Sequence, residues 1–332
     1  MRIFRIAGSC ALCMCLTLSV QALELKIATV SPDGSTWMRA LREAAEQIAE
    51  HTDSRVRFKF YPGGVMGDDR AVLRKIRIGQ LHGAVMTTGA LAQAAKDVQL
   101  YNLPMQFRSY EEVDYVRARM DSRMLTALEE KGYVAFGIAE VGFAYAMSQV
   151  PVMAVDEVQS QRVWVPAGDA GAERTLAAFG VSPIPLSIAD VLSGLQTGLI
   201  NGVTAPPVAA IGLQWHTQLE HVLDLPLLYI YGTFVVGDRQ FNKISDDDQS
   251  YVRRVMGEVA SIVGSRNRKD HERAVEVLGA QGLSWNHPRD SDTSRWQDYA
   301  DRAADELMSV GFMTDSLYRE LMRHLDDFRN TP

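Results

Sequence analysis

The residue types that most often bind metal ions or transfer protons are scattered along this chain. Only His216 and His221 are close together, and a separation of five residues does not place two side chains on one face of a helix. The spacing therefore favours structural or surface histidines over a metal site or a catalytic base. The seven histidines are His51, His82, His216, His221, His271, His287 and His324.

An acidic run is the second feature that could bind a cation. Asp246, Asp247 and Asp248 follow directly after Ser245. A serine followed by acidic residues is also typical of a helix N-terminus, because the serine caps free amide groups and negative charge is favourable at that end. We interpret the run as a helix start and predict neither a metal ion nor a cofactor.

Motifs of covalent and nucleotide chemistry are absent from the sequence. There is no Gly-x-Ser-x-Gly elbow, no Gly-x-Gly-x-x-Gly or Walker loop, and no His-Glu-x-x-His. The three cysteines, Cys10, Cys13 and Cys15, all lie near the N-terminus. Because no nucleophile is paired with a base, the sequence favours a binding protein over an enzyme.

Residues 1–22 have the pattern of an export signal. Arg2 and Arg5 flank the start of an apolar run over residues 6–20, which is short for a membrane helix, and the small Ala22 follows the run. We expect cleavage after Ala22, which would release an exported protein without cysteine. The alternative is that the apolar run remains as a membrane anchor.

Length and composition indicate a globular protein of two domains. The chain has 332 residues, of which 47% are hydrophobic and 23% are charged. Its formal net charge is −7, so no basic surface is available to attract phosphates. Nucleic acid is therefore not an expected partner.

Hydrophobic periodicity predicts alternating strands and helices in two runs. The first has strands at residues 23–30, 55–61 and 83–87, with helices at 35–50 and 68–78; the second begins near residue 133. Such alternation predicts an α/β fold with a parallel sheet in each of two lobes. The stretch from 246 to 282 contains no proline and predicts either one long kinked helix or two shorter helices, with a coiled-coil dimer stripe as a further reading.

An ordered set of motifs resembles the DctP-type extracytoplasmic solute receptors of TRAP transporters. The resemblance runs from about residue 23 to about residue 280. It implies a periplasmic binding protein whose two lobes, joined by crossing strands and a long helix, close over a solute and pass it to membrane permease subunits. On this basis we expect mainly an N-terminal lobe at 23–140, mainly a C-terminal lobe at 141–235 and a helical region at 236–332. The motifs are Leu25-Lys26-Ile27-Ala28-Thr29, Tyr61-Pro62-Gly63-Gly64, Gly67-Asp68-Asp69, Ile78-Gly79-Gln80-Leu81, Leu103-Pro104, Leu195-Gln196-Thr197-Gly198 and Asn201-Gly202 before Pro206.

The sequence departs from this family at the positions that bind a carboxylate. Most relatives have an arginine in the strand that is written here Arg162-Val163-Trp164-Val165, and Trp164 takes its place. A second arginine of the relatives corresponds to Ala144. Polar ligand-facing positions correspond to Ala205 and Thr87. The resemblance therefore implies an apolar or weakly polar ligand, as in a branch of the family that works with a TPR-repeat protein.

Eight residues are expected to form the binding cleft on this reading. Three alternatives stay open: a receptor for an organic acid that uses a displaced arginine such as Arg162, a sensory protein that presents a ligand, and, least favoured, an enzyme on the same architecture. The expected ligand-binding residues are Thr87, Phe143, Ala144, Tyr145, Trp164, Ile188, Ala205 and Trp215.

Overall fold

The computed structural model of the protein describes residues 22–331. The expected export signal and the three cysteines lie outside the described residues, except for Ala22 itself. No helix in the described part of the chain combines the length and the apolar character that crossing a membrane requires.

Residues 22–331 form ten strands. They are β1 (Leu23–Thr29), β2 (Val56–Tyr61), β3 (Gly83–Thr87), β4 (Tyr133–Ser148), β5 (Trp164–Pro166), β6 (Ile184–Leu186), β7 (Gly202–Ala205), β8 (His221–Leu223), β9 (Leu228–Gly237) and β10 (Ser284–Asn286).

The same part of the chain forms twelve α-helices. They are α1 (Thr36–His51), α2 (Asp69–Arg77), α3 (Thr88–Leu91), α4 (Tyr110–Glu129), α5 (Val155–Val158), α6 (Ala170–Ala178), α7 (Val191–Gln196), α8 (Pro207–Gly212), α9 (Asp238–Phe241), α10 (Asp246–Ala280), α11 (Asp290–Ser309) and α12 (Asp315–Arg329). Short 3-10 helices cover Lys96–Asn102, Ile188–Asp190 and Trp215–Gln218.

The main sheet is mixed rather than parallel. Its strand order is β10-β8-β4-β9-β3-β1-β2, with β7 also paired to β4, while β5 and β6 form a separate pair. The pairs of β1 with β2 and β3 are parallel as the alternating pattern predicts, but β9 is antiparallel to both β3 and β4. The expected two-lobed α/β fold is thus present, and its two long antiparallel strands depart from the parallel pattern.

Strand β4 replaces two strands that the sequence pattern separates. The pattern predicts strands at 134–139 and 143–148, whereas the structure has one strand of 16 residues. Its pairing with β9 shifts between Ala135 and Ile138 and again between Glu140 and Gly142. Bulges of this kind leave an extra residue without a partner and bend the strand, so they interrupt the alternation without ending the strand.

Helix α10 is a single helix of 35 residues, which settles the alternative left open by the sequence. Ser245 caps it by accepting a hydrogen bond from the amide of Asp248 at 3.4 Å, so the acidic run is a helix start. The Asp248 carboxylate binds Arg55 with two hydrogen bonds of 2.9 and 3.0 Å. Val252 at one end of the helix and Leu278 at the other belong to two different hydrophobic cores.

A buried ion pair joins α10 to the bulged part of β4. The Glu140 side chain is 1% exposed and accepts two hydrogen bonds from Arg268, each at 2.9 Å. The Tyr229 hydroxyl donates to the same carboxylate at 2.9 Å, and Arg268 also holds Asp114 at 2.6 and 2.8 Å. Because Glu140 has three donors, its charge is compensated inside the protein.

Candidate ligand-binding cleft

A cavity of about 630 Å³ lies where the loop after β1, the end of β3, strand β5, helices α6 and α8 and the middle of β9 meet. Cavities of roughly 300 to 1,000 Å³ enclose drug-sized ligands. The described residues show no group of three or more histidine, cysteine, aspartate or glutamate side chains placed to hold a metal ion.

Two tryptophans form one wall of the cavity. The rings of Trp164 and Trp215 meet edge to face, with their centroids 5.1 Å apart. The Trp164 indole nitrogen donates to the carbonyl of Leu186 at 3.0 Å. Because this donor is already satisfied, the indole offers the cavity a hydrocarbon face and needs no polar group from a ligand.

The structure places five of the eight expected residues in the wall of this cavity. Trp164 lies on β5, Ala205 ends β7, and Thr87 ends β3. Ile188 and Trp215 each begin a 3-10 helix, a type of helix that the sequence pattern does not distinguish from an α-helix. The five residues are Thr87, Trp164, Ile188, Ala205 and Trp215.

The other three expected residues, Phe143, Ala144 and Tyr145, lie outside the cavity wall. Phe143 pairs with Tyr229, whose neighbours Leu228 and Ile230 line the cavity. Since successive strand residues face opposite sides, Phe143 turns away from the cavity and packs in a core.

Tyr145 and Ala144 are removed from the cavity in different ways. The Tyr145 ring lies 5.9 Å from the His271 ring and 5.4 Å from that of Trp285, both away from the cleft. Ala144 is completely buried; it pairs with Leu228 and so shares the cavity-facing side of the strand pair, but its short side chain is not part of the wall. The strand contributes Val141 instead, which has no partner in the ladder with β9 at the second bulge.

The cleft has little positive charge. Among the described residues that line it, the only Lys, Arg or His is Arg39. Arg39 is exposed, and its guanidinium donates to the carbonyl of Gly34 and, at 3.3 Å, to the Thr36 hydroxyl. A carboxylate bound deep in this cavity would therefore lack an interior cation.

Arg162 does not supply the missing cation. Its guanidinium donates to the carbonyl of Gly198 at 3.0 Å, and its backbone amide donates to Asn201 Oδ1 at 2.7 Å. The side chain is not part of the cavity wall. A displaced role for Arg162, as the acid-receptor alternative supposes, would require the side chain to leave these contacts.

A carboxylate lines the cavity instead. Asp169 caps α6, and its Oδ1 accepts hydrogen bonds from the amides of Gly171 and Ala172 at 3.1 and 3.0 Å. Burial raises the pKa of Asp169. Burial, followed by repulsion from Asp68 and Asp169, also raises the pKa of nearby Asp69 to about 6. Asp33 and Asp169 are the carboxylates of the cavity wall among the described residues, and acidic groups there disfavour an anionic ligand.

Stability should depend on the protonation of Asp69. Its pKa rises from 3.8 to about 6 on folding, so the folded protein binds more protons than the unfolded chain between these values. The free energy of unfolding should then fall as the pH rises through this window. We expect Asp69→Asn to flatten this slope and to raise stability at neutral pH by about 1 to 3 kcal/mol.

Urea unfolding of the wild type and Asp69→Asn across the same pH window measures this effect. Asp53→Asn is the matched control, because the Asp53 side chain is 90% exposed. Equal pH slopes in all three proteins would show that Asp69 titrates as an ordinary surface carboxyl.

Several cavity residues had no signal in the sequence pattern. Phe312 and Met313 come from the loop between α11 and α12, far along the chain from the expected motifs. Asn267 comes from the middle of α10, where a polar residue reads as solvent-facing although it is buried. Only packing between distant elements brings these residues to the cleft.

Comparison with known proteins places the chain among solute receptors. The DctP family model, described as bacterial extracellular solute-binding protein, family 7, matches residues 27–309. The C4-dicarboxylate-binding periplasmic protein DctP of Rhodobacter capsulatus is 22% identical over 309 residues, covering 90% of this chain and 91% of the relative.

Solved structures share the fold. A TRAP periplasmic solute binding protein from Xanthobacter autotrophicus Py2 with bound β-D-galacturonate gives a TM-score of 0.83 at 15% identity, over 91% of this chain and 98% of that chain. The sugar acid binding protein DctPAm from Advenella mimigardefordensis in complex with galactonate gives 0.85 at 15% identity, over 92% and 98% of the two chains. The fold is therefore that of a two-lobed periplasmic binding protein.

Proposed function

Because this chain belongs to the DctP family of bacterial extracellular solute-binding proteins, we propose that it is the periplasmic receptor of a TRAP transporter for an apolar or weakly polar small molecule. Members of this family are solute receptors that work with TRAP permease subunits. In our proposal the ligand lies in the cleft between the lobes at 23–140 and 141–235, with the helical region 236–332 packed on both, and is handed to the permease.

The position of Trp164 supports the ligand class most directly. The resemblance implies an arginine at this position in acid-binding relatives, whereas here an indole with a satisfied nitrogen faces the cavity. A charged hydrogen bond stabilises by about 1.5 to 3 kcal/mol, and a carboxylate without a counter-charge in a closed cleft costs several kcal/mol. Burial of about 200 Å² of apolar ligand surface gains on the order of 5 kcal/mol before association costs.

An organic acid is the alternative ligand. The solved relatives described above contain galacturonate and galactonate, and Arg39 at the cavity wall could meet a carboxylate. A receptor that presents its ligand to a sensor is a second alternative, and dependence of uptake on both this protein and the permease would separate transport from sensing. A TPR-repeat protein is our proposed additional partner, by resemblance to the branch that lacks the arginine.

Thermal unfolding with a matched ligand panel tests the ligand class. We expect uncharged 1-alkanols to raise the melting temperature, and succinate and galacturonate to leave it unchanged. A ligand that binds only the folded state adds about 2.7 kcal/mol at a hundred times its dissociation constant, which is readily detected. Micromolar binding of either acid, lost in Arg39→Ala and kept in Arg162→Ala, would establish the organic-acid alternative.

Mass spectrometry of the natively purified protein would identify the physiological ligand. A hydrocarbon-rich neutral molecule co-purifying at one copy per chain is the expected result. A co-purifying sugar acid or dicarboxylate would contradict the proposal.

The proposed export signal gives a prediction for the mature chain. Strand β1 begins at Leu23, where the backbone amide already pairs with the carbonyl of Arg55 at 2.8 Å. Cleavage after Ala22 would therefore leave the folded part intact. We expect N-terminal sequencing of protein from the periplasmic fraction to start at Leu23. Recovery of the chain from the membrane fraction with Met1 or Arg2 at its N-terminus would support the anchor alternative.

A further inference from the structure

A second, smaller chamber lies behind the wall of the main cavity. It has a volume of about 60 Å³. The two spaces have four lining residues in common, so they adjoin at these residues. The shared residues are Thr175, Leu176, Thr204 and Leu228.

The chamber is surrounded by hydrophobic core. Beyond the shared boundary, many of its wall residues belong to one core cluster that packs α5 and α6 against α11. These wall residues are Val152, Val158, Val163, Phe179 and Trp296.

Three of the five polar side chains around the chamber have partners within the protein, and the other two, Thr175 and Thr204, lie at its boundary with the main cavity. The Ser148 hydroxyl donates to the carbonyl of Val150 at 2.6 Å, and the Trp296 indole nitrogen donates to the carbonyl of Met153 at 2.9 Å. The Gln161 amide nitrogen donates to the carbonyl of Glu157 at 3.1 Å. A water molecule needs several polar partners, so the chamber suits hydrocarbon better than water.

An unfilled apolar space of this size is unfavourable in a packed core. Protein interiors contain few voids larger than a water molecule, and each lowers stability in proportion to its volume. A ligand group that enters the chamber would recover the missing contacts. Because Leu176 and Leu228 line both spaces, entry from the cleft would require these side chains to move.

We infer that this second chamber receives the end of a hydrocarbon chain, and that the ligand is an amphipathic molecule with a flexible tail rather than a compact ring. The inference rests on the proposed function, because it assigns a shape to the apolar ligand. The ligand body lies against Trp164 and Trp215 in the main cavity, and the tail passes between Leu176 and Leu228.

A chain-length series of 1-alkanols from hexanol to tetradecanol, measured by calorimetry, tests the inference. Each methylene buried in the chamber should raise affinity about fourfold until the chamber is full, after which affinity stops rising. Val203→Leu, in the chamber wall, should lower affinity for the best-binding alkanol about tenfold and leave hexanol unchanged. Phe179→Leu, which enlarges the chamber, should shift the optimum to a longer chain.

Val252→Leu is the matched control. It makes the same chemical change as Val203→Leu at a fully buried valine in a different core, so it should leave the chain-length profile unchanged. The inference is overturned if wild type, Val203→Leu and Phe179→Leu share one chain-length profile while still binding hexanol. If the wild type binds no alkanol and instead binds galacturonate, the proposed function itself fails.

Discussion

Replacing Trp164 with alanine should weaken the binding of an apolar ligand by about 2 to 4 kcal/mol, the range expected for a large buried aromatic. The ring is 7% exposed and forms one wall of the cavity with Trp215. Calorimetry with the best-binding 1-alkanol measures the loss. Trp285→Ala is the control, because this indole packs against Tyr145 outside the cleft and its removal should leave affinity nearly unchanged.

Trp164→Arg is expected to act on stability rather than only on affinity. It places a cation in a wall whose carboxylates among the described residues, Asp33 and Asp169, already bind Arg42 and the first amides of α6. An unpaired buried charge is costly, so the melting temperature should fall and should recover when succinate or galacturonate is added. Recovery by the acids in Trp164→Arg but not in the wild type would show that this position selects the charge of the ligand. Equal response of both proteins would contradict that role.

Removing the arginine from the buried ion pair of Glu140 and Arg268 should lower the free energy of unfolding substantially. Arg268→Ala leaves the Glu140 carboxylate, 1% exposed, with the Tyr229 hydroxyl as its remaining side-chain donor. Breaking a buried pair from one side typically costs about 3 to 5 kcal/mol, because the other charge stays buried. Chemical denaturation measures the loss, and a restored stability in Arg268→Ala with Glu140→Gln would identify the uncompensated charge as its cause.

A control for this experiment lies on the same helix. Arg254 pairs with Glu258 at 3.0 Å, and both side chains are more than half exposed. Exposed pairs of this kind contribute about 0.2 to 1 kcal/mol, so Arg254→Ala should be nearly neutral. If Arg268→Ala is no worse than Arg254→Ala, water reaches Glu140 and the pair is not a buried one.

The helices and the parallel strands could be predicted from the sequence because their signals are local. Ser245 with its acidic run predicts the start of α10, and the cap hydrogen bond bears this out. The long β4 could not be predicted in the same way, since Gly142 has φ of +125° and breaks the alternation at a bulge. Pairing with β9, a tertiary contact, holds the strand together across that break.

The cleft shows the same division between local and tertiary signals. Trp164 and Ala205 could be proposed as cavity residues from their positions relative to the family motifs, and both line the cavity. The resemblance to the family predicts Phe143 in the cavity wall. In the structure Phe143 pairs with Tyr229, and its side chain faces a hydrophobic core instead. Met313 reaches the cavity only because the C-terminal helices return to the N-terminal lobe.

The place of β9 in the sheet limits the order in which the chain can fold. Gly83 of β3 pairs with Val236 of β9, so the early strands β1, β2 and β3 have an open edge until a segment from late in the chain arrives. Pairings between residues so distant in sequence are slow to form, and an unpaired strand edge invites association with other chains. The edge of β3 therefore stays unpaired until the chain up to Gly237 has been made, and the sheet that begins with β1 is completed only then.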